Sequence, residues 1–99
     1  MKLFNLFPMT DRVHCAHILV KTDKEANAIL DRLKRGEKFG SIAKEVSICP
    51  SGKHQGDLGT FSRGKMVKEF EDAAFSLDKG QTSAIVKTRF GYHIIKRLE

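Results

Sequence analysis

The sequence has few of the residues that mark disulfide-rich, membrane-spanning or disordered proteins. It contains two cysteines, two prolines and no tryptophan in 99 residues. Cys15 and Cys49 could pair, but they lack a CxxC spacing and the density of a secreted disulfide scaffold, so we expect reduced thiols and a cytoplasmic protein. No apolar run approaches the roughly 18 residues that a membrane-spanning helix requires.

The opening MKLFNLFPM resembles a signal peptide only over a few residues. Asn5 and Pro8 interrupt its apolar part, and no small-residue cleavage site follows. We therefore expect residues 1–11 to form a flexible arm in front of a domain over residues 12–99. The apolar side chains of the arm, with nearby Lys2, are candidates for a weak contact with a membrane, an anionic surface or a partner. These side chains are Leu3, Phe4, Leu6 and Phe7.

The composition is that of one globular domain. Hydrophobic residues make up 40% and charged residues 30% of the chain, which is long enough for one core but not for two. The formal charge of +6 would suit a nucleic-acid-binding protein. Acidic residues are interleaved with the basic ones, however, apart from the adjacent pairs Lys34–Arg35 and Lys96–Arg97. This pattern favours a solvated surface, so nucleic acid is not an expected partner.

The first half of the chain predicts one strand and two helices. Val13–Val20 is short, rich in β-branched residues and apolar on both faces near its end, which is typical of a central strand. Thr22 and Glu25 form a capping box ahead of a helix that should stop at Gly36. Phe39–Val46 repeats the helical spacing of apolar residues and predicts a second, shorter helix.

The second half predicts a loop, a strand, a helix and a hairpin. Residues 47–56 have the composition of a loop and contain no GxxxxGK[ST] pattern, so a phosphate-binding P-loop is not expected. Residues 57–61 form a short strand, and a helix is expected from about Met66 to Phe75. Residues 84–88 and 91–98 should pair as a β-hairpin with Arg89 and Phe90 in its loop.

Three bulky residues in this half indicate an apolar pocket. Leu58 lies on the predicted strand, and Met66 and Phe70 are four residues apart, so they should stack on one face of the following helix. Such a small apolar cup would suit a compact apolar ligand.

Two histidines on the first strand are three residues apart. Residues at this spacing point to opposite faces of a strand, which disfavours a metal site of the HxxH type. One of them can face a site together with Cys15 and Leu19, and that pattern favours His17, with His14 at the surface.

Five ordered motifs carry a resemblance to a known family. HILVK, FGSIAKEVSICPSG, GDLGTFSRGKM, FEDAAF and FGYHIIK together resemble the parvulin-type peptidyl-prolyl cis/trans isomerases, from about Val13 to Glu99. The resemblance implies an α+β fold of the βα3βαβ2 type, a four-stranded antiparallel sheet surrounded by helices. It also implies a small helix between Val46 and Gly56, where composition indicates only a loop.

The resemblance assigns a role to each matching position. The paired histidines beneath the site would be His17 and His93, with Cys49 at its edge and the Thr88 hydroxyl supporting the pair. The pocket for the proline ring would be formed by Leu58, Met66 and Phe70, with Phe90 as a further wall.

The implied activity is non-covalent rotation about X-Pro bonds in polypeptides, assisting protein folding. It requires no cofactor and no metal, and a monomer is the simplest expectation. Lys21 is followed by TDKEAN, which lacks the paired arginines of phosphate-selective members, so phosphate specificity is not expected. Many relatives have proline before the pocket phenylalanine, and here Glu69 places a carboxylate near the rim.

Three alternatives remain open from the sequence. The first is a polypeptide-binding or holding module that uses the same pocket with little catalysis. The second makes Cys49 a covalent nucleophile with His17 or His93 as its base. The third is a zinc site formed by these three residues, which is an incomplete ligand set.

Overall fold

The structure, a computed structural model, describes residues 12–99. The expected flexible arm over residues 1–11, and its candidate contact with a membrane or partner, therefore lie outside the described residues. The described chain has three helices and one four-stranded antiparallel sheet, which confirms the predicted α+β class. None of the helices in residues 12–99 is both long and apolar enough to cross a bilayer.

The sheet is built around the first strand, as its apolar pattern predicts. The strands are β1 (Arg12–Val20), β2 (Asp57–Ser62), β3 (Val86–Thr88) and β4 (Gly91–Arg97), in the order β2-β1-β4-β3. β1 therefore pairs with strands on both sides, and each of its neighbours runs antiparallel to it. β2 and β3 form the two edges.

Three helices and one short helical turn connect the strands. They are α1 (Asp23–Lys34), α2 (Phe39–Val46), a 3-10 helix (Pro50–His54) and α3 (Lys68–Ser76). The 3-10 helix is the small extra helix that the family resemblance implies and that composition alone missed.

The predicted capping box at the start of α1 is present. The Thr22 side chain accepts from the backbone N–H of Glu25, whose carboxylate accepts from the backbone N–H of Thr22. Gly36 follows the end of α1 with φ +94°, a backbone conformation that glycine adopts without steric cost.

Alternation along β1 divides the hydrophobic core into two layers. Ala16, Ile18 and Val20 pack beneath α1 and α2. Val13 and Cys15 face the other way and pack beneath α3. His17 and Leu19 continue this second row, so the sheet presents them on the same face as α3.

The start of α3 corrects one sequence prediction. The helix begins at Lys68 with Val67 as its N-cap in an extended conformation, so Met66 lies before the helix and does not stack with Phe70 on a helix face. A turn holds this segment instead. The Gly64 N–H donates to Glu71 Oε1 at 2.6 Å, and Gly64 has φ +89°. The turn, and not helical periodicity, therefore places Met66.

The final hairpin is present, but β3 is shorter than the predicted residues 84–88. Before Val86 the Ser83 side chain takes over the pairing, because its hydroxyl oxygen accepts from the Ile95 N–H at 2.9 Å. The Ser83 N–H donates to the Ile95 carbonyl at 2.8 Å. A side chain thus replaces part of the ladder, which hydrophobic alternation does not reveal.

Candidate active site

A cavity of about 420 Å³ opens on the face of the sheet that carries α3. Its walls come from β1, β2, β4, the segment before and into α3, the entry to the 3-10 helix and the β3–β4 loop. The lining residues are His17, Leu19, Ile48, Cys49, Pro50, Leu58, Met66, Val67, Phe70, Phe90 and His93. None of them is Lys, Arg, Asp or Glu, so the walls are almost wholly apolar.

The structure brings together the residues that the sequence singled out. Leu58, Met66, Phe70 and Phe90 all line this cavity, as do His17, His93 and Cys49. Thr88 lies behind the wall, where it is buried and hydrogen-bonded to His93. The exposed Glu69, expected near the rim, is not among the lining residues.

Four lining residues were not named as site residues from the sequence. They are Leu19, Ile48, Pro50 and Val67. Leu19 carried a usable signal, because it lies two residues from His17 on a strand and shares its face. Ile48, Pro50 and Val67 adjoin Cys49 or Met66 in sequence. They lie outside the strands and α-helices, where no periodicity predicts the direction of a side chain.

Strand register brings the two histidines together. His17 of β1 pairs with Ile95 of β4, and Leu19 pairs with His93, so the two imidazoles are diagonal neighbours on one face. Their Nδ1 atoms are 3.0 Å apart and their rings are inclined by 23°. A shift of the register by one residue would move His93 to the opposite face.

Backbone contacts to β1 fix the loop that carries Cys49. The Ile48 N–H donates to the Leu19 carbonyl at 2.8 Å, and the Leu19 N–H donates to Ser47 Oγ at 3.1 Å. These two bonds hold Ile48 and Cys49 against the open end of the pocket.

Gly56 holds the other end of the 3-10 segment close to β1. Its carbonyl accepts from the His17 N–H at 2.9 Å. Its φ is +82°, and a Cβ at this position would collide with the His17 carbonyl oxygen. Only glycine therefore permits this close approach.

A hydrogen-bond chain assigns the tautomers of the two imidazoles. Thr88 Oγ1 accepts from the Phe90 N–H at 3.1 Å and lies 2.7 Å from His93 Nε2. Its hydroxyl hydrogen has no other partner among residues 12–99, so we infer that it donates to His93 Nε2. His93 then carries its proton on Nδ1 and donates it to His17 Nδ1. If the bonds ran in the opposite direction, from His17 through His93 to Thr88, two groups would lack partners, the Thr88 hydroxyl hydrogen and His17 Nε2. In the direction given above, only His17 Nε2 lacks a partner.

His17 Nε2 is the end of this chain. Among residues 12–99 it is the buried side-chain nitrogen or oxygen with no hydrogen-bond partner. A buried unpaired N–H costs about 1–3 kcal/mol, and such groups call for a functional or structural explanation. The imidazole packs against Phe70 in an edge-on contact, with ring centroids 5.5 Å apart.

Burial keeps both imidazoles neutral. Desolvation, and to a smaller extent the neighbouring His93, lowers the pKa of His17 to about 4. Desolvation also lowers the pKa of His93. Two cationic rings at this distance would repel each other in a medium of low polarity. The pocket floor is therefore uncharged at neutral pH.

The two thiols differ in position. Cys15 is fully buried, and desolvation raises its pKa to about 11 although Arg97 opposes the shift. Cys49 is half-buried at the pocket edge, where its sulfur accepts from the Ser51 hydroxyl at 3.2 Å. Both thiols are free.

The described residues offer little support for covalent or metal chemistry. In residues 12–99 neither imidazole is hydrogen-bonded to Cys49, since the polar partners of the two rings are each other and Thr88. This part of the chain also contains no group of three or more His, Cys, Asp or Glu placed to hold a metal ion.

Comparison with known proteins places the chain in a family. Residues 13–99 match the rotamase family described as "PPIC-type PPIASE domain". Foldase protein PrsA from Geobacillus sp. (strain WCH70) is 54% identical over 86 residues, which are 86% of this chain and 31% of that protein. The chain thus spans about a third of the length of this curated relative.

Two small archaeal proteins are similar over nearly their whole length. The solution structure of NmPin, the parvulin of Nitrosopumilus maritimus, has a TM-score of 0.81 and 54% identity, covering 90% of this chain and 97% of that one. The structure of CsPin from Cenarcheaum symbiosum has a TM-score of 0.79 and 55% identity, covering 99% and 100%. With its family match, its four-stranded sheet and the histidine pair beneath an apolar pocket, this chain belongs to the parvulin, or PpiC-type, family of peptidyl-prolyl cis/trans isomerases.

Proposed function

We propose that the pocket accelerates rotation about X-Pro bonds in polypeptides without forming a covalent intermediate, and that the protein assists folding in this way. The observation that carries the proposal is the apolar cavity in which Leu58, Met66 and Phe70 meet above a neutral histidine pair. Its volume of about 420 Å³ falls in the range of small-ligand sites and admits a prolyl ring. The cavity is open to solvent, which leaves room for the rest of a peptide.

The physical basis is the electronic structure of the imide. Resonance places negative charge on the carbonyl oxygen and gives the C–N bond partial double-bond character, and the barrier to rotation is about 18–20 kcal/mol. Both features are lost as the bond twists. A water-poor apolar site therefore stabilises the twisted state relative to the planar, charge-separated one. A reduction of about 5 kcal/mol would raise the rate by roughly four powers of ten.

The polar groups of the site serve this mechanism by holding its shape. The chain from Thr88 through His93 to His17 ties β3, β4 and β1 together beneath the pocket. Phe70 stands edge-on to both imidazoles, with its ring centroid 5.5 Å from His17 and 5.2 Å from His93. We infer that the pair orients Phe70 and keeps charge out of the pocket floor.

The experiment that tests the proposal measures catalysis and binding together. Two-dimensional exchange NMR on an Ala-Ala-Pro-Phe peptide, with and without a catalytic amount of protein, reports the exchange rate between the cis and trans signals. We expect the protein to accelerate this exchange. The acceleration is readily detected because uncatalysed exchange takes tens to hundreds of seconds. Shifted peptide signals without faster exchange would contradict the proposal and favour the alternative, a module that holds polypeptides without turning them.

We further propose that the activity does not depend on phosphorylation. In residues 12–99 no lysine or arginine lines the pocket, and sites that select phosphorylated peptides are typically built from clusters of arginines. Peptides that differ only in Ser, phosphoserine or Glu before the proline test this. We expect phosphoserine and Glu to be used within about tenfold of each other. A much larger preference for phosphoserine would overturn this part of the proposal.

A cytoplasmic location and a monomeric state complete the proposal. Two free thiols and the absence of a CxxC spacing suit a reducing compartment. Cell fractionation and analytical ultracentrifugation test these two points. The basic surface, with a formal charge of +6, supports a weak secondary contact with anionic surfaces, which liposome sedimentation with and without residues 1–9 would measure.

A further inference from the structure

Arg89 is an exposed cation next to Phe90, a residue of the pocket wall. Arg89 and Phe90 form the two-residue loop between β3 and β4. Phe90 lines the cavity while 55% of its surface remains exposed, so it contacts both the cavity and solvent. The guanidinium carbon of Arg89 is 5.0 Å from the centroid of the Phe90 ring, which is the distance of a cation–π contact. This contact fixes a positive charge beside the pocket wall.

Within the described part of the chain, no carboxylate compensates this charge. Arg89 makes no ion pair with a carboxylate of residues 12–99, in contrast to Arg63, which lies 3.7 Å from Glu71, and Lys68, which lies 3.1 Å from Asp72. Among the residues that the structure describes, no acidic one lines the pocket itself.

We propose that Arg89 is a specificity-determining residue that favours substrates with an acidic side chain directly before or after the proline. This inference rests on the proposed function, because it needs the prolyl ring to occupy the pocket. Phe90 is a lining residue that is also exposed, so the Arg89 guanidinium against its ring is placed beside the residues that flank a proline seated in the pocket. An exposed ion pair corresponds to about a 1.5- to fivefold change in affinity.

The same strand offers a matched control. Thr88 points toward the pocket, since its hydroxyl contacts His93, and side chains alternate along a strand. Lys87 therefore points to the opposite face, where its Nζ is 5.7 Å from the Tyr92 ring centroid. Lys87→Gln removes one positive charge from the same edge of the sheet without changing the pocket mouth.

The experiment measures kcat/KM for peptides that carry Glu, Gln or Lys at either position next to the proline. The wild-type protein should prefer Glu over Lys by about three- to tenfold at one of these positions, because attraction and repulsion add. Arg89→Gln should abolish the preference, Arg89→Glu should reverse it, and Arg89→Lys and Lys87→Gln should retain it. The preference should act through KM and should fade in about 1 M salt, where the Debye length is about 3 Å.

The outcomes separate this inference from the proposed function. The Gln peptide measures basal isomerisation. If the wild-type protein does not accelerate its exchange, the proposed function fails and this inference with it. Acceleration without a preference for Glu overturns the inference alone. An equal loss of preference in Arg89→Gln and Lys87→Gln would also overturn it, since net charge and not the position of Arg89 would then be responsible.

Discussion

The Nδ1 atoms of His17 and His93 lie 3.0 Å apart, although 76 residues separate the two positions in the sequence. At this distance one nitrogen must donate and the other must accept, so the protonation states of the two rings depend on each other. The contact joins the central strand to the final strand at the floor of the pocket. Loss of this contact would therefore affect both the stability of the fold and the shape of the pocket.

The lowered pKa values of His17 and His93 predict that acid destabilises the fold. The pKa of each histidine is lower in the folded protein, about 4 for His17, than the value of about 6.5 in an unfolded chain. The unfolded state thus binds protons first as the pH falls. The contribution is fully present above pH 6.5 and is lost as the pH falls toward the folded pKa. Between pH 6.5 and 5 the loss is roughly 1–2 kcal/mol for His17, and His93 adds to it in the same direction.

Urea unfolding at several pH values measures this loss, and NMR titration of the histidine ring signals assigns it to residues. The window from pH 6.5 to 5 is chosen because most carboxylates remain ionised there. Ring signals of His17 and His93 that titrate near pH 6.5 would refute the prediction.

Replacing Thr88 by valine tests the direction of the hydrogen-bond chain. Valine keeps the shape but removes the donor to His93 Nε2 and the acceptor for the Phe90 N–H. We expect a loss of about 1–3 kcal/mol in the free energy of unfolding, because buried polar groups lose their partner. Nitrogen-15 NMR of the imidazoles should show the Nδ1–H tautomer of His93 in the wild type and a mixture in the variant. Thr88→Ser, which keeps the hydroxyl, should resemble the wild type.

Met66→Ala tests the pocket as the source of the rate. Met66 is half-buried and precedes α3, so its truncation should spare the fold. Losing its contact with a prolyl ring should lower kcat/KM by about tenfold, which corresponds to about 1.4 kcal/mol. His17→Asn should lower it less. Phe70→Ala should also reduce turnover, but Phe70 is a core residue and its truncation costs about 3–5 kcal/mol of stability.

The control for Met66→Ala is a truncation on the other face of the sheet. Leu33 packs against the core layer beneath α1 and α2, so Leu33→Ala should lower stability and leave kcat/KM unchanged. A larger loss of activity in His17→Asn than in Met66→Ala would show that the pocket is not the main source of the rate.

Cys49→Ser tests covalent chemistry. Because neither imidazole is hydrogen-bonded to the Cys49 sulfur in the described chain, the serine variant should keep kcat/KM within about twofold. Removal of a true nucleophile typically costs several powers of ten. Mass spectrometry of the protein during turnover provides a second measurement, and a substrate adduct on Cys49 would contradict the non-covalent mechanism.

Gly56→Ala tests the close approach of the 3-10 segment to β1. An added methyl group would meet the His17 carbonyl oxygen in addition to straining a positive φ. Gly36→Ala is the matched control, because φ is also positive there but the space is open. We expect about 1–2 kcal/mol of destabilisation at Gly36 from backbone strain and clearly more at Gly56. Equal losses in urea unfolding would argue against the collision.

Features that depend on neighbouring residues could be predicted from the amino-acid order. The capping box at Thr22, the helical spacing of Phe39–Val46 and the apolar pattern of β1 are local, because each residue's conformation follows from contacts within a few positions. The spacing of Leu58, Met66 and Phe70 indicated an apolar pocket, and the ordered motifs added the family and, through it, the remaining site residues. His17 was separated from His14 by strand alternation alone.

Features that depend on distant residues became visible only in the folded protein. The register between β1 and β4 sets the distance between His17 and His93, and burial, which no local pattern measures, makes both of them neutral. The turn at Gly64 places Met66 ahead of α3, where periodicity had put it inside the helix. Side chains far apart in sequence acquire their hydrogen-bond partners and their solvation only when the chain has folded, and the chemistry of the pocket depends on both.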